Sequence, residues 1–420
     1  MKTMGLKPWN KGSLFLVLAA GVWSFGGVSS AAGAFDWPCF HGPDHNNISK
    51  EKNWFSVWPA EGPKRLWKAS VGDGFSSVSV ANGRLYTMGV VAGQEMVWCL
   101  DADTGAQIWK HSYPYVFKPQ YYEGGSSVTP AVDGNLVYSL GQAGELNCLD
   151  AASGKVVWSR HLAREFGVAV PTWGFASSPC VEGDLLILNA GTRGLAVNKA
   201  TGQMVWNNGP GSAGYSSAVP FVMNGQRAVA MLVAREVVAF EPKTGKLLWQ
   251  HPWKTEYDVN AADPVIEADK VFISSSYGSG CALVQFSVMP PREVWRNKNI
   301  ETHFNSVVLL DGYAYGIDGE AGKPASLKCL DWKTGQVKWS HSGLGLGAVT
   351  AADGKLIILS EKGELLLAEP SPAAFKPIAR AQVLGGKCWT VPVLSNGRVY
   401  CRNSKGDLVC LDVRGGQARD

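Results

Sequence analysis

The chain has 420 residues, of which 46% are hydrophobic and 18% charged; that is enough apolar content for a large packed core and excludes a disordered chain or a coiled coil. The formal net charge of +4 is small for this length, and the Lys and Arg residues are scattered with no basic stripe, so no nucleic-acid partner is expected and nothing points to another polyanion.

The first segment carries Lys2, Lys7 and Lys11, an apolar run from Leu14 to Val22, and small residues ending in Ala32-Gly33-Ala34. This order predicts a signal peptide over 1–34, cleaved after Ala34 to leave Phe35 as the new amino terminus. The apolar run is too short for a membrane span. Cys39 follows Asp-Trp-Pro rather than the Leu-small-small sequence of a lipidated cysteine, so no lipoprotein anchor is expected. The expected product is soluble and periplasmic or secreted. Residues 35–62 then read as an N-terminal extension.

From residue 63 onward the sequence repeats. Trp67, Trp109, Trp158, Trp206, Trp249, Trp295 and Trp339 follow one another at gaps of roughly 42 to 49 residues, the period of a β-propeller array. Ahead of several of them stands one phrase: Leu-Asp-Ala-Asp-Thr-Gly at 100–105, Leu-Asp-Ala-Ala-Ser-Gly at 149–154, Phe-Glu-Pro-Lys-Thr-Gly at 240–245 and Leu-Asp-Trp-Lys-Thr-Gly at 330–335. Each repeat spells a four-stranded sheet. In the second, strands are predicted over 126–132, 135–140, 145–149 and 155–160, separated by Gly-containing turns. A Trp early in each fourth strand is expected between blades, a structural role for all seven.

First strands are predicted near Ser76, Ser126, Phe175, Tyr215, Ala261, Phe304, Ala348 and Trp389, giving an all-β, eight-bladed β-propeller of four-stranded antiparallel blades over 63–416, with 417–420 as a tail. The seventh repeat is degenerate, with Glu369-Pro370-Ser371-Pro372 in place of the turn phrase and no tryptophan. The eighth has no fourth strand of its own. The segment 63–69, Pro-Lys-Arg-Leu-Trp-Lys-Ala, has that strand's pattern and is expected to close the ring, leaving no blade edge open.

Of nine cysteines, Cys99, Cys148, Cys329 and Cys410 share one repeat position and are expected to be small buried side chains. If Lys405-Gly406 is a two-residue hairpin loop, Cys401 and Cys410 stand opposite each other, where a cross-strand disulfide or two free thiols would both fit.

These repeats resemble the pyrroloquinoline-quinone-type repeat family, whose phrase is Ala/Cys-Leu-Asp-x-x-Thr-Gly-x-x-x-Trp. That family holds both quinoprotein dehydrogenases and non-enzymes such as the periplasmic scaffold BamB. The opening Trp37-Pro38-Cys39-Phe40-His41-Gly42-Pro43 is similar to an element that begins many secreted BamB-like propellers, with His41 where Arg is usual. The resemblance implies that an enzyme would carry an adjacent Cys-Cys pair, a Trp beneath the quinone and calcium ligands. This chain has no adjacent cysteines, and no calcium ligands match; no cofactor, metal or catalytic residue is expected. His41, Asp44 and His45 match no metal-ligand spacing and read as a polar loop.

A partner site is expected on the loops that join blades. These carry Tyr121, Tyr122 and Glu123, then Trp173, Tyr215, Tyr257, Asp258, Asn260, His303, Asn305, Lys387 and Trp389. Aromatic faces with polar tips suit a peptide or glycan at the channel mouth or an envelope or secreted protein; closing the channel mouth is their structural alternative. Asp258, His303 and Lys387 are expected to converge if their loops turn inward. The function implied is a non-catalytic scaffold, with a quinone-dependent or other oxidoreductase and a carbohydrate-binding module as rivals.

Overall fold

A computed structural model describes residues 33–120 and 122–415, with Met1, Lys2 and Gly5. The predicted signal peptide therefore falls almost wholly outside the described residues, as does the tail. The chain is an eight-bladed propeller of antiparallel four-stranded sheets. Blades 1 to 7 span 79–114, 131–161, 180–207, 219–252, 265–297, 308–342 and 348–382, and blade 8 spans 393–412. The only α-helix among the described residues, Leu162–Phe166, follows blade 2.

Regular first strands begin later than the sequence suggests in seven blades, at Ser79 rather than Ser76 in blade 1 and Cys180 rather than Phe175 in blade 3. The residues just before them bond to the neighbouring blade. Ser77 N–H donates to Thr129 Oγ1, Thr129 N–H to Ser178 Oγ and Ser178 N–H to Ser217 Oγ, each at 3.0 Å, and Ser217 N–H donates to Asp263 Oδ1 at 2.6 Å. A belt of hydroxyl and carboxylate acceptors thus ties the inner ends of blades 1 to 5, satisfying amides that have no strand partner.

The repeat phrase works between blades as well as within them. In four blades the second, third and fourth strands align a Tyr, a Cys and a Trp: Tyr86–Cys99–Trp109 in blade 1, with the same row at Tyr138, Tyr315 and Tyr400. Six of the seven tryptophans donate Nε1–H to a carbonyl of the next blade, such as Trp67 to Ala102 O at 3.1 Å and Trp109 to Ala151 O at 2.9 Å. Trp249 instead stacks on Phe286 with centroids 5.1 Å apart. The turn glycine lies under the preceding blade's tryptophan, so a Cβ on Gly154 would come within 2.6 Å of the Trp109 ring.

Gly154 also has φ of 71°, so Gly154→Ala meets both backbone strain and a clash. We expect it to cost about 2–4 kcal/mol in urea unfolding. Gly134→Ala, at φ of 56° with nothing within 4 Å, should cost about 1 kcal/mol from backbone strain alone. Equal losses would remove the inter-blade role of the turn.

The Cys401–Cys410 disulfide is not formed; all nine cysteines are free. The turn is longer than two residues, with Arg402 paired to Leu408, so Cys401 faces Val409 and Cys410 faces Tyr400. A shift of one residue sends the two side chains to opposite faces of the blade.

Closure follows the expected plan. A first short strand, β1 (Ile48–Ser49), is followed by β2 (Arg65–Ser70), which pairs antiparallel with Asp407–Asp412 and completes blade 8, placing Trp67 opposite Cys410. Blade 7 lacks the repeat tryptophan, and Trp54 and Trp58 from the N-terminal segment pack into the cluster that holds Leu367, Ala379 and Leu411. The extension is therefore part of the ring.

Candidate functional site

The axis of the propeller is filled from one end by residues 35–51. Phe35 N–H donates to Asn396 Oδ1 in blade 8, Trp37 exchanges two backbone bonds with Val80 in blade 1, and Pro38 O accepts from Val132 N–H in blade 2. The segment then reaches across the ring, where His41 Nδ1 lies 2.9 Å from Asp263 Oδ2 of blade 5 with both side chains almost fully buried. Finally β1 adds as a parallel fifth strand to the inner edge of blade 7, Ile48 opposite Ala351. Asp263 thus holds both the belt and this plug. The predicted polar loop is correct as a loop, and the segment is an axial closure that no periodicity announces; Asp44 pairs with Lys50.

On the opposite end the inter-blade loops bring some of the expected residues together and separate others. Tyr122, Trp173 and Tyr215 form one group. Tyr122 accepts from Gln142 Nε2 at 2.7 Å and donates to Trp173 O, and the Trp173 and Tyr215 rings meet edge to face at 5.9 Å. Gln142, fully buried and absent from the sequence reading, is the hub of this group and also accepts from Tyr115. Tyr121 lies outside the described residues.

A second group surrounds Trp389. Its ring contacts Phe75 at 5.3 Å and Phe304 at 4.8 Å, Lys387 Nζ sits 4.4 Å from its centroid, and its Nε1–H donates to Glu361. Asn305 donates to Trp389 O, and Lys387 pairs with Glu123 at 2.6 Å, linking the loop before blade 8 to the loop before blade 2. Rings from the loops before blades 1, 6 and 8 thereby pack into one group.

Asp258, His303 and Lys387 are each engaged by a separate partner: Asp258 pairs with Arg235, His303 with Tyr277 Oη, and Lys387 with Glu123. Asn260 is fully buried and structural, donating to Val233 O and Ala234 O while accepting from Ser275. His303 is also buried, and burial pushes its imidazole down to about 4, leaving it neutral.

Between the loops of blades 4, 5 and 6 the same face opens into a cleft of about 660 Å³. Tyr257 and Tyr277 wall it, with rings at 83° and 5.5 Å, and both have left-handed backbone, φ of 65° and 60°. Of the expected loop aromatics among the described residues, Tyr257 is the most exposed, at 61%. Tyr277 was invisible in the sequence because it sits in a hairpin loop within blade 5.

At the junction of blades 1 and 2, Glu95 and Glu145 converge on Gly141, where a Cβ would lie 2.8 Å from one carboxylate oxygen of each. Burial, reinforced by Glu145 and opposed by a bond from Ser126, pushes the Glu95 carboxyl up to about 7. A carboxyl raised in the fold contributes stability that is complete below the ordinary carboxylate range and is lost as pH rises through 7. His45 and His303, both pushed down to about 4 by burial, act the other way and lose stability as pH falls from the ordinary histidine range. Glu95→Gln should therefore stabilise the protein by about 2–3 kcal/mol at pH 8 and by nearly nothing at pH 4 in urea unfolding. A gain that does not change with pH would refute the assignment.

A family model described as outer membrane protein assembly factor BamB matches residues 93–341. No curated protein matches the chain. Among solved structures, BamB from Moraxella catarrhalis superposes with a TM-score of 0.61 at 14% identity, over 85% of this chain and 99% of its own. Quinohemoprotein alcohol dehydrogenase from Comamonas testosteroni gives 0.68 at 14% identity, over 93% of this chain and 82% of its own. A europium-containing methanol dehydrogenase gives 0.61 at 12%, over 90% and 89%. Likeness at such identities carries the propeller fold alone.

The quinone suggested by the dehydrogenases does not fit the residues present. Residues 35–51 bridge blades 1, 2, 5, 7 and 8 across one end of the ring, and no two cysteines are adjacent. Among the described residues no three His, Cys, Asp or Glu side chains are grouped as metal ligands.

Proposed function

The chain belongs to the family described as outer membrane protein assembly factor BamB, and from that premise we propose that it is an exported, non-catalytic propeller that presents its loop face to a protein of the cell envelope. The observation that carries this reading is the filled axis. With residues 35–51 across one end and the Phe75–Trp389–Phe304 group at the other, the exposed loops remain as the surface on which something can act. Val116 and Val170, 61% and 39% exposed on the loops before blades 2 and 3, add apolar area of the kind found at protein contacts.

Export is supported by the position of Phe35, whose N–H and C=O are held by Asn396 and Ser395: cleavage after Ala34 would leave the new terminus already seated. No described helix is long and apolar enough to cross a membrane.

Photo-crosslinking groups at Val116 and Val170 should capture an envelope protein in the producing cell, while one at Val157, exposed on an outer strand, should not. Quinone with calcium should leave the absorbance and melting temperature unchanged. Alcohol-dependent dye reduction on adding them would overturn the non-catalytic reading.

A further inference from the structure

We propose that the cleft between the loops of blades 4, 5 and 6 binds a neutral oligosaccharide. Its volume, about 660 Å³, lies within the range of small-molecule sites and suits a few linked sugar units. The lining is mixed in sign. Glu256 and Glu301 offer acceptors, and Lys298 and Lys323 offer donors. A cation would meet the two lysines and an anion the carboxylates, whereas each hydroxyl of a sugar both donates and accepts and can use both sets at once. Neighbouring charge is already balanced, Glu320 by Lys323 at 3.0 Å and Asp318 by Lys328 at 2.7 Å, so the cleft has no strong net field to favour an ion.

The two tyrosines supply the apolar part of such a site. The C–H face of a pyranose packs on an aromatic ring, and two rings at 83° present one face and one edge along the cleft. Tyr277 is fixed by buried His303, whose Nε2 lies 3.1 Å from its hydroxyl, whereas Tyr257 rests against the Tyr277 ring and stays 61% exposed. Beyond its contact with Tyr277, a large aromatic ring held outward by left-handed backbone leaves an exposed face that a bound sugar would cover. The inference stands apart from the protein-scaffold reading, since it concerns blades 4 to 6 and a different class of ligand.

The test is calorimetric titration of the mature chain with cellohexaose, chitohexaose and maltohexaose. At least one should bind at micromolar to millimolar concentration. Tyr257→Ala should weaken it about tenfold or more, and Glu301→Gln severalfold, while Tyr122→Ala leaves it unchanged. Tyr257→Gly keeps the fold testable: glycine suits φ of 65°, so its melting temperature should not fall although binding is lost. The inference is overturned if none of the three binds at millimolar sugar or if Tyr257→Ala binds as tightly as wild type. Displacement by a lysine-rich peptide, abolished by salt, would overturn it in favour of a basic protein segment.

Discussion

Removing residues 63–70 is expected to abolish cooperative folding. The deletion strips β2 from blade 8 and exposes the whole edge of Asp407–Asp412, whose backbone groups lose the ladder running from Arg65 opposite Leu411 to Ser70 opposite Asp407. It also removes Trp67, whose Nε1–H bonds Ala102 O and whose ring covers Gly105, so the contact between blades 8 and 1 goes with the strand. Loss of a buried Trp alone costs about 3–5 kcal/mol, against a total stability of about 5–15 kcal/mol for a folded domain. Trp67→Ala should therefore leave a folded but weakened protein, and the deletion an aggregating or molten one, read by near-ultraviolet circular dichroism and urea unfolding. A deletion variant that melts like wild type would refute ring closure by this strand.

That result depends on something plain in the sequence, the orphan fourth-strand pattern around Trp67. Periodic features were legible for the same reason: the tryptophans, the Thr-Gly turns and the Tyr–Cys–Trp rows are set by one packing unit repeated around a ring, so each copy reports on the others. The plug was not. Residues 35–51 contact blades 1, 2, 5, 7 and 8 through bonds with no shared spacing, such as His41 to Asp263, and nothing periodic marks such a path. The belt had a signal that went unused, the recurring Phe75-Ser-Ser, Phe175-Ala-Ser-Ser and Tyr215-Ser-Ser.

The candidate site was half legible. The aromatic character of the inter-blade loops is plain in the sequence, but composition does not separate Tyr257, which is open, from Tyr215, which is buried, because exposure depends on where each irregular loop turns. Asn260 was misread for a related cause. A polar residue in a loop reads as available, and only the three-dimensional path shows carbonyls of Val233 and Ala234 using both of its amide hydrogens. The disulfide failed on a single residue of register, the least secure quantity in a hairpin whose loop length is inferred.

Arg402→Met is expected to cost about 3–5 kcal/mol, as much as losing a large core side chain, although it exchanges a charge for an apolar group of similar length. Arg402 is 1% exposed in blade 8, and its guanidinium crosses to blade 1, donating to Ser76 O, Thr87 Oγ1, Met88 O and Gly72 O. Among the described residues no carboxylate stands within ion-pair distance of it. Burial pushes the guanidinium down to about 9, so it stays charged at neutral pH and is solvated by backbone dipoles. Methionine would fill much of the space but leave two buried carbonyls, a part-buried one and a buried hydroxyl without their donor at the seam that β2 also closes. Lysine would keep the charge yet lack the fork needed to reach Gly72 and Met88 together, so Arg402→Lys should recover only part of the loss. Arg235→Met, which breaks the exposed pair with Asp258, should cost at most about 1 kcal/mol in the same urea titration. If Arg402→Met and Arg235→Met unfolded at the same midpoint, the seam between blades 8 and 1 would have to be held by β2 alone.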